Sequence, residues 1–257
     1  MKLIFTGLLL SLFTAAASAA IQTRVVEYKQ GDTVLEGVMT WNDAVKGRRP
    51  AVLVIHQWMG LTDYEKKRSE MLAELGYNVF ALDIYGKGVR PRNAQEAGAE
   101  AGKFKGDRTL LRARTLAGLD VLRMDVNTNP NHIAAIGYCF GGTAAIELAR
   151  AGADVAGVVS FHGGLDSPAP ADGANIRSKM LICHGAEDPF VAPKDMAAFL
   201  TELRGNKVDY QFVAYSGAVH SFTQWKADGS MPGAKYNAAA DRRSWEQMKA
   251  FFSEVLR

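Results

Sequence analysis

The segment Gly137-Tyr138-Cys139-Phe140-Gly141-Gly142 places a thiol between glycines, directly after an apolar run. In a G-x-C-x-G turn the middle residue stands where a strand gives way to a helix, lifted above the sheet edge and free to attack a carbonyl carbon. The glycines have a steric reason. Such a turn forces its middle residue into strained backbone angles, and neighbours without a Cβ let strand and helix approach closely. A thiol at a helix N-terminus also meets the helix dipole and free N–H groups, both of which favour thiolate. A nucleophile of this kind needs a base, and the base needs an acid to orient it; both follow the nucleophile in the chain. Asp188, in His184-Gly185-Ala186-Glu187-Asp188-Pro189, comes 49 residues after Cys139. His220, in Tyr215-Ser216-Gly217-Ala218-Val219-His220-Ser221-Phe222, comes 32 residues after Asp188. The roles that follow are attack by Cys139, proton transfer by His220 and tautomer control by Asp188. Glu187 is the rival acid; Asp188 is preferred because it closes the loop that turns at Gly185 and is capped by Pro189.

Acyl transfer also needs donors for a developing oxyanion. One is expected from the backbone N–H of Phe140, the residue after the nucleophile. The other is expected from the N–H of Trp58, in the loop His56-Gln57-Trp58-Met59-Gly60. His56, His162 and His184 fall at strand ends, but no H-x-x-x-H or C-x-x-C spacing accompanies them, so no metal is expected. They read as loop-shaping residues, with His162 also a candidate to line the substrate pocket. Trp58, Tyr85, Phe161 and Trp225 are candidates for an apolar acyl pocket and equally for core. Cys183, inside an apolar run, reads as an inert small hydrophobe.

The elements that must position these groups are legible as a repeating pattern. Val25–Lys29 and Thr33–Thr40, joined at Gln30-Gly31-Asp32, read as an antiparallel hairpin. Ala51–Ile55, Val79–Leu82, His132–Ile136 and Val155–Val159 are unbroken apolar runs, the mark of strands buried on both faces. Met180–Cys183 and Val208–Ala214 complete the strands. Helical stretches separate them over Asp63–Leu75, Asp107–Met124, Thr143–Ala151 and Pro193–Leu203, and Ala238–Leu256 closes the chain. Strand alternating with helix requires crossover connections and a mostly parallel sheet with helices on both faces. No linker or repeat divides the chain, so residues 20–257 read as one α/β domain.

Composition sets the outer bounds. Of 257 residues, 48% are hydrophobic and 22% charged, a globular balance that excludes disorder and fibrous classes. A mean hydropathy of −0.07 excludes a bundle of membrane spans. The net charge is +3 and no basic run occurs, so nucleic acid is not an expected partner. Two cysteines do not make a disulfide scaffold. Met1-Lys2, the apolar stretch Leu3–Phe13 and Thr14-Ala15-Ala16-Ala17-Ser18-Ala19-Ala20 read as a secretory signal peptide over residues 1–19. The apolar run is shorter than the roughly 20 residues a membrane span needs. The mature chain is therefore expected in a periplasm or secreted, with no membrane attachment once the signal is removed.

With these residues in place, the sequence resembles the dienelactone hydrolase family of α/β-hydrolases. The resemblance is carried by His56-Gln57-Trp58-Met59-Gly60-Leu61, Leu82-Asp83-Ile84-Tyr85-Gly86, Gly137-Tyr138-Cys139-Phe140-Gly141-Gly142, His184-Gly185-Ala186-Glu187-Asp188 and His220-Ser221-Phe222. It covers nearly the whole mature chain. It implies the α/β-hydrolase fold, a Cys139–Asp188–His220 triad, a small-molecule ester or lactone as substrate, and no cofactor. Members that open dienelactones carry a Glu on the oxyanion loop, where this chain has Gln57; an amide cannot take up the thiol proton. Those members also hold the substrate carboxylate with two Arg. The matching positions are Lys87, which keeps the charge but not the two-pronged geometry, and Gln224, which keeps only hydrogen bonding. Gln57, Tyr85, Lys87, His162 and Gln224 are thus the substrate-binding candidates. Two alternatives stand beside the hydrolase: a non-catalytic binder on the same scaffold, suggested by Gln57, and a thiol redox sensor. The intact triad speaks against the first and the lack of a nearby resolving Cys against the second. A Cys139–Cys183 disulfide is not expected. With Val155–Val159 between the two strands, they lie roughly 9.6 Å apart, at roughly 4.8 Å per spacing, whereas bridged Cα atoms lie within about 7 Å.

Overall fold

The computed structural model describes residues 20–257; the signal-peptide reading of residues 1–19 lies outside the described residues. Strands β1 (Ile21–Gln30) and β2 (Thr33–Asn42) form the expected hairpin, with Gln30 opposite Thr33 and Gly31 at φ 56° in the turn. There follow β3 (Arg49–Ile55), α1 (Asp63–Glu74), β4 (Asn78–Leu82), α2 (Ala94–Gly106), α3 (Arg108–Met124), β5 (Thr128–Tyr138), α4 (Phe140–Arg150), β6 (Gly157–Phe161), β7 (Lys179–Gly185), α5 (Pro193–Gly205), β8 (Tyr210–Tyr215) and α6 (Ala238–Val255). The eight strands make one sheet in the order β1-β2-β4-β3-β5-β6-β7-β8. β2 joins β4 antiparallel, and every pairing from β4 to β8 is parallel. This is the mostly parallel sheet that the alternating pattern requires.

The unbroken apolar strands have the cause inferred for them. Along β3, Ala51, Leu53 and Ile55 enter one apolar layer, which also holds Phe104 of α2, Leu119 of α3, Ala145 of α4 and Phe199 of α5. Val52 and Val54, pointing the other way, enter the second layer, which holds Leu72 of α1 and Met248 and Phe252 of α6. Successive side chains thus enter opposite layers, and neither face of a central strand reaches water.

Sequence and structure differ locally at several elements, among them β5, which begins at Thr128, and β8, which begins at Tyr210. Helix α2 has no counterpart among the sequence assignments. Its glycines, Gly98, Gly102 and Gly106, lower helix propensity, and its buried face is mostly alanine: Ala97, Ala101 and Phe104. Helix α4 begins at Phe140, directly after the nucleophile turn, and not at Thr143. β6 lies two residues later than expected, over Gly157–Phe161.

The two ends of the sheet differ. β1 exposes Arg24, Glu27 and Lys29, whereas β8, Tyr-Gln-Phe-Val-Ala-Tyr, carries no charge. β6 lies between β5 and β7 as expected, and Cys139 and Cys183 are both free thiols.

Candidate active site

The parallel strands deliver three loops to one edge of the sheet. Cys139 follows β5, Asp188 follows β7 and His220 follows β8. Cys139 has φ 55° and ψ −116°, a strained conformation for a residue with a side chain. The flanking glycines make it possible. A Cβ on Gly137 would collide with the carbonyl of Gly141, and one on Gly141 with the carbonyl of Ile55. The strand, the turn and the following helix pack backbone against backbone.

His220 Nε2 lies 3.0 Å from Cys139 Sγ, and His220 Nδ1 lies 2.8 Å from Asp188 Oδ2. Because a carboxylate only accepts, Nδ1 carries a proton and donates it to Asp188. The other Asp188 oxygen accepts the Phe190 N–H at 2.9 Å, which fixes the carboxylate. Glu187 faces elsewhere and accepts the Gly217 N–H at 2.9 Å. The loop itself is pinned by His220 N–H to Gly233 O and Lys235 N–H to His220 O, both 3.0 Å.

Burial alone would push the Cys139 thiol up. The neighbouring His220 charge and its hydrogen bond, with Lys105 further off, outweigh burial and hold it below the ordinary thiol range. Burial likewise works against the His220 cation, but the Cys139 thiolate and Asp188 raise it well above the ordinary imidazole range. The two shifts favour one state, a thiolate beside an imidazolium.

Neither expected oxyanion donor is spent on another backbone group: among the described residues, neither the Trp58 N–H nor the Phe140 N–H has a backbone acceptor. The Trp58 loop is held from three sides. Glu65, fully buried, accepts the Gln57 N–H at 3.2 Å and the Thr62 N–H at 2.8 Å. Tyr85 donates its hydroxyl to Trp58 O at 2.8 Å. His56 Nε2 accepts the Ile84 N–H at 3.1 Å, so Nδ1 carries the proton and donates to Gln57 O at 2.6 Å. Burial pushes the His56 ring down to about 4, so it is neutral.

Two cavities meet here. One, of 570 Å³, opens on Cys139 and His220 and is lined by Phe140, Lys105, Phe190 and Val191 among others. Its neighbour, of 610 Å³, is lined by Gln57, Gln224, Trp225 and Tyr64 among others. Trp58, Ser221 and Met231 line both.

The substrate-binding candidates separate accordingly. Gln57 and Gln224 line the neighbouring cavity. Lys87 lines neither: it is drawn into ion pairs with Glu27 and Glu36 of the N-terminal hairpin. Tyr85 lines neither, because its hydroxyl is spent on Trp58 O. His162 lines neither, being 2% exposed with both ring nitrogens bonded to the protein. Phe161 is core, 1% exposed, whereas Trp58 and Trp225 do line cavities. Sequence reasoning missed Lys105, Phe190 and Glu65. Glu65 had a signal, the capping box Thr62-Asp63-Tyr64-Glu65; Lys105 had none without α2. Phe190 sets its ring edge-on to His220 at 5.1 Å.

The sheet order and the three groups gathered at the ends of its parallel strands define an α/β-hydrolase. The chain belongs to the dienelactone hydrolase family, matching it over residues 35–256. The solved structure named m3DLH superposes with a TM-score of 0.90 and is 38% identical, covering 93% of this chain and 100% of that one. A dienelactone hydrolase-like promiscuous phosphotriesterase, P91 from metagenomic libraries, is also 38% identical, with a TM-score of 0.88 over 93% of this chain and 100% of its own. A protein of Aquifex aeolicus (strain VF5), named as a candidate carboxymethylenebutenolidase, is 25% identical over 238 residues, 91% of this chain and 99% of that protein. The chain is thus a hydrolase of the ester- and lactone-cleaving kind.

Proposed function

We propose that the mature chain is an exported hydrolase of carboxylic esters or lactones that works through a thioester on Cys139. The observation that carries this is the unbroken line from Cys139 Sγ through His220 to Asp188, at 3.0 Å and 2.8 Å. The thiolate attacks the acyl carbon, and the carbonyl oxygen takes the electron pair, stabilised by the N–H groups of Trp58 and Phe140. Collapse breaks the bond to the leaving oxygen, which takes the proton from His220 Nε2; in a lactone that oxygen stays tethered to the acyl chain. A water then gives a proton to His220 and attacks the thioester. Collapse of that intermediate releases the carboxylic acid and restores the thiolate beside the imidazolium. Gln57 takes no proton in this scheme, and the thiolate is made by His220 alone.

Intact mass of the protein mixed with a p-nitrophenyl ester should show one acyl adduct, absent in Cys139→Ala. Undiminished turnover in Cys139→Ala would overturn the proposal. Export is tested by the N-terminal sequence of the protein recovered outside the cytoplasm, which should begin at Ala20. A start at Met1 would overturn it. The similarity to a phosphotriesterase favours a second reading, attack of the same thiolate on a phosphotriester. Release of p-nitrophenol from diethyl p-nitrophenyl phosphate, dependent on Cys139, tests it.

A further inference from the structure

Behind the thiolate lies a second imidazole that the reaction scheme does not use. His162 sits at the end of β6, buried, in a left-handed conformation with φ 43°. A side-chain-bearing residue held there points to a constraint worth a role. Its backbone N–H donates to Cys183 O at 2.8 Å. Its ring Nδ1 accepts the backbone N–H of Cys139 at 3.1 Å, an N–H shared with Phe161 O at 3.0 Å. A nitrogen that accepts carries no proton, so the proton is on Nε2, which donates to Thr223 Oγ1 at 2.7 Å.

Thr223 lies three residues after His220, in the same loop. It is anchored in turn. Its hydroxyl is 2.7 Å from the Tyr64 hydroxyl, and its carbonyl accepts from Arg68 at 3.0 Å. Arg68 also bonds Tyr64 and pairs with Asp241. One ring therefore bridges the backbone of the nucleophile to the loop that carries the base.

We infer that His162 is a positioning residue, a strut that fixes the distance between Cys139 and His220. The inference rests on the thioester reading above. The strut works only as a neutral ring, since a proton on Nδ1 would face the Cys139 N–H. Burial holds the ring well below the ordinary imidazole range, and the charges facing it, on His220, Arg68 and His184, act in the same direction. The His220 ring meets it edge to face at 5.2 Å.

The test is steady-state kinetics on a p-nitrophenyl ester with variants of both bridge ends. His162→Phe keeps a ring but loses both bonds, and Thr223→Val loses one. A displaced reacting pair costs about 10²-fold in rate. His162→Phe should therefore lower kcat about 10²-fold and leave KM near wild type. Thr223→Val should lower kcat less, and Thr223→Ser, which keeps the hydroxyl, should restore it. In the double variant the losses should not multiply, because both belong to one bridge. A residue that only fills space would lower the melting temperature while the folded fraction kept its kcat. Wild-type kcat in folded His162→Phe, or in Thr223→Val, overturns the inference, as do multiplying losses. Should His162→Phe not fold, the Thr223 pair decides: equal loss in Val and Ser also overturns it. The two claims fail separately. Activity that survives Cys139→Ala removes the thioester reading, whereas activity that needs Cys139 but neither His162 nor Thr223 removes only the strut.

Discussion

Asp188 and Glu187 are adjacent carboxylates with different work, and the difference is set by which hydrogen-bond donor each one meets. Asp188 receives the His220 proton and the Phe190 N–H, while Glu187 receives only the Gly217 N–H. Asp188→Asn should lower kcat by about 10⁴, as losing the tautomer-setting carboxylate does in serine triads. Glu187→Gln should leave kcat near wild type; a reversal of the two results would exchange their roles. The thiolate–imidazolium pair makes a second prediction, with a sign. The Cys139 pKa is lowered, so thiolate persists below the ordinary thiol value of about 8.5 and is lost only as pH falls through the lowered pKa. The rate of iodoacetamide alkylation should show its acid limb below that value. His220→Ala removes the counter-charge but not the burial, so the limb should move up, to the ordinary value or above. That Cys139, Asp188 and His220 would come together was legible because G-x-C-x-G and chain order constrain their placement tightly. Lys87, Tyr85 and His162 were misplaced for one reason: a position near the site in sequence does not reveal which way a side chain turns.

At the scale of elements, the central strands were legible because burial on both faces leaves an unbroken apolar run. Helix α2 was not, since three glycines and an alanine face give neither propensity nor a strong apolar stripe. That gap hid the lysine that lines the cavity of Cys139. Lys105 lines the catalytic cavity and has no ion-pair partner among the described residues, whereas Lys87 is neutralised by the hairpin. Lys105→Met should therefore lower kcat/KM for an ester with a carboxylate at the far end of its acyl chain, relative to a neutral ester of equal length. The loss should be modest, about 5-fold at most, because an exposed charge pair is worth about 1 kcal/mol or less. Lys87→Met should leave that ratio unchanged. The opposite pattern would return the cation's role to the position of the family's Arg.

Across the whole molecule, one sheet with two apolar layers needs no covalent staple, and the strand order keeps its two thiols apart. Denatured, unreduced protein should titrate with two free thiols per chain, and a count of zero with a mass two hydrogens low would contradict the placement of β6 between them. Among the described residues no helix is long and apolar enough to cross a membrane. The same open sheet has two ends, and they are not equally protected. An edge strand offers unpaired N–H and C=O groups to any other strand, and charges are what discourage that pairing. β1 carries the exposed charges Arg24, Glu27 and Lys29, but β8 has none. When the protein is warmed or concentrated, self-association should thus begin at β8, and the chain's shelf life should be set by this one border and not by its core. Ala214, exposed on β8, is the place to add a guard. Ala214→Lys should raise the temperature at which light scattering appears while leaving the unfolding midpoint where it was. An unchanged scattering onset would show that precipitation starts elsewhere.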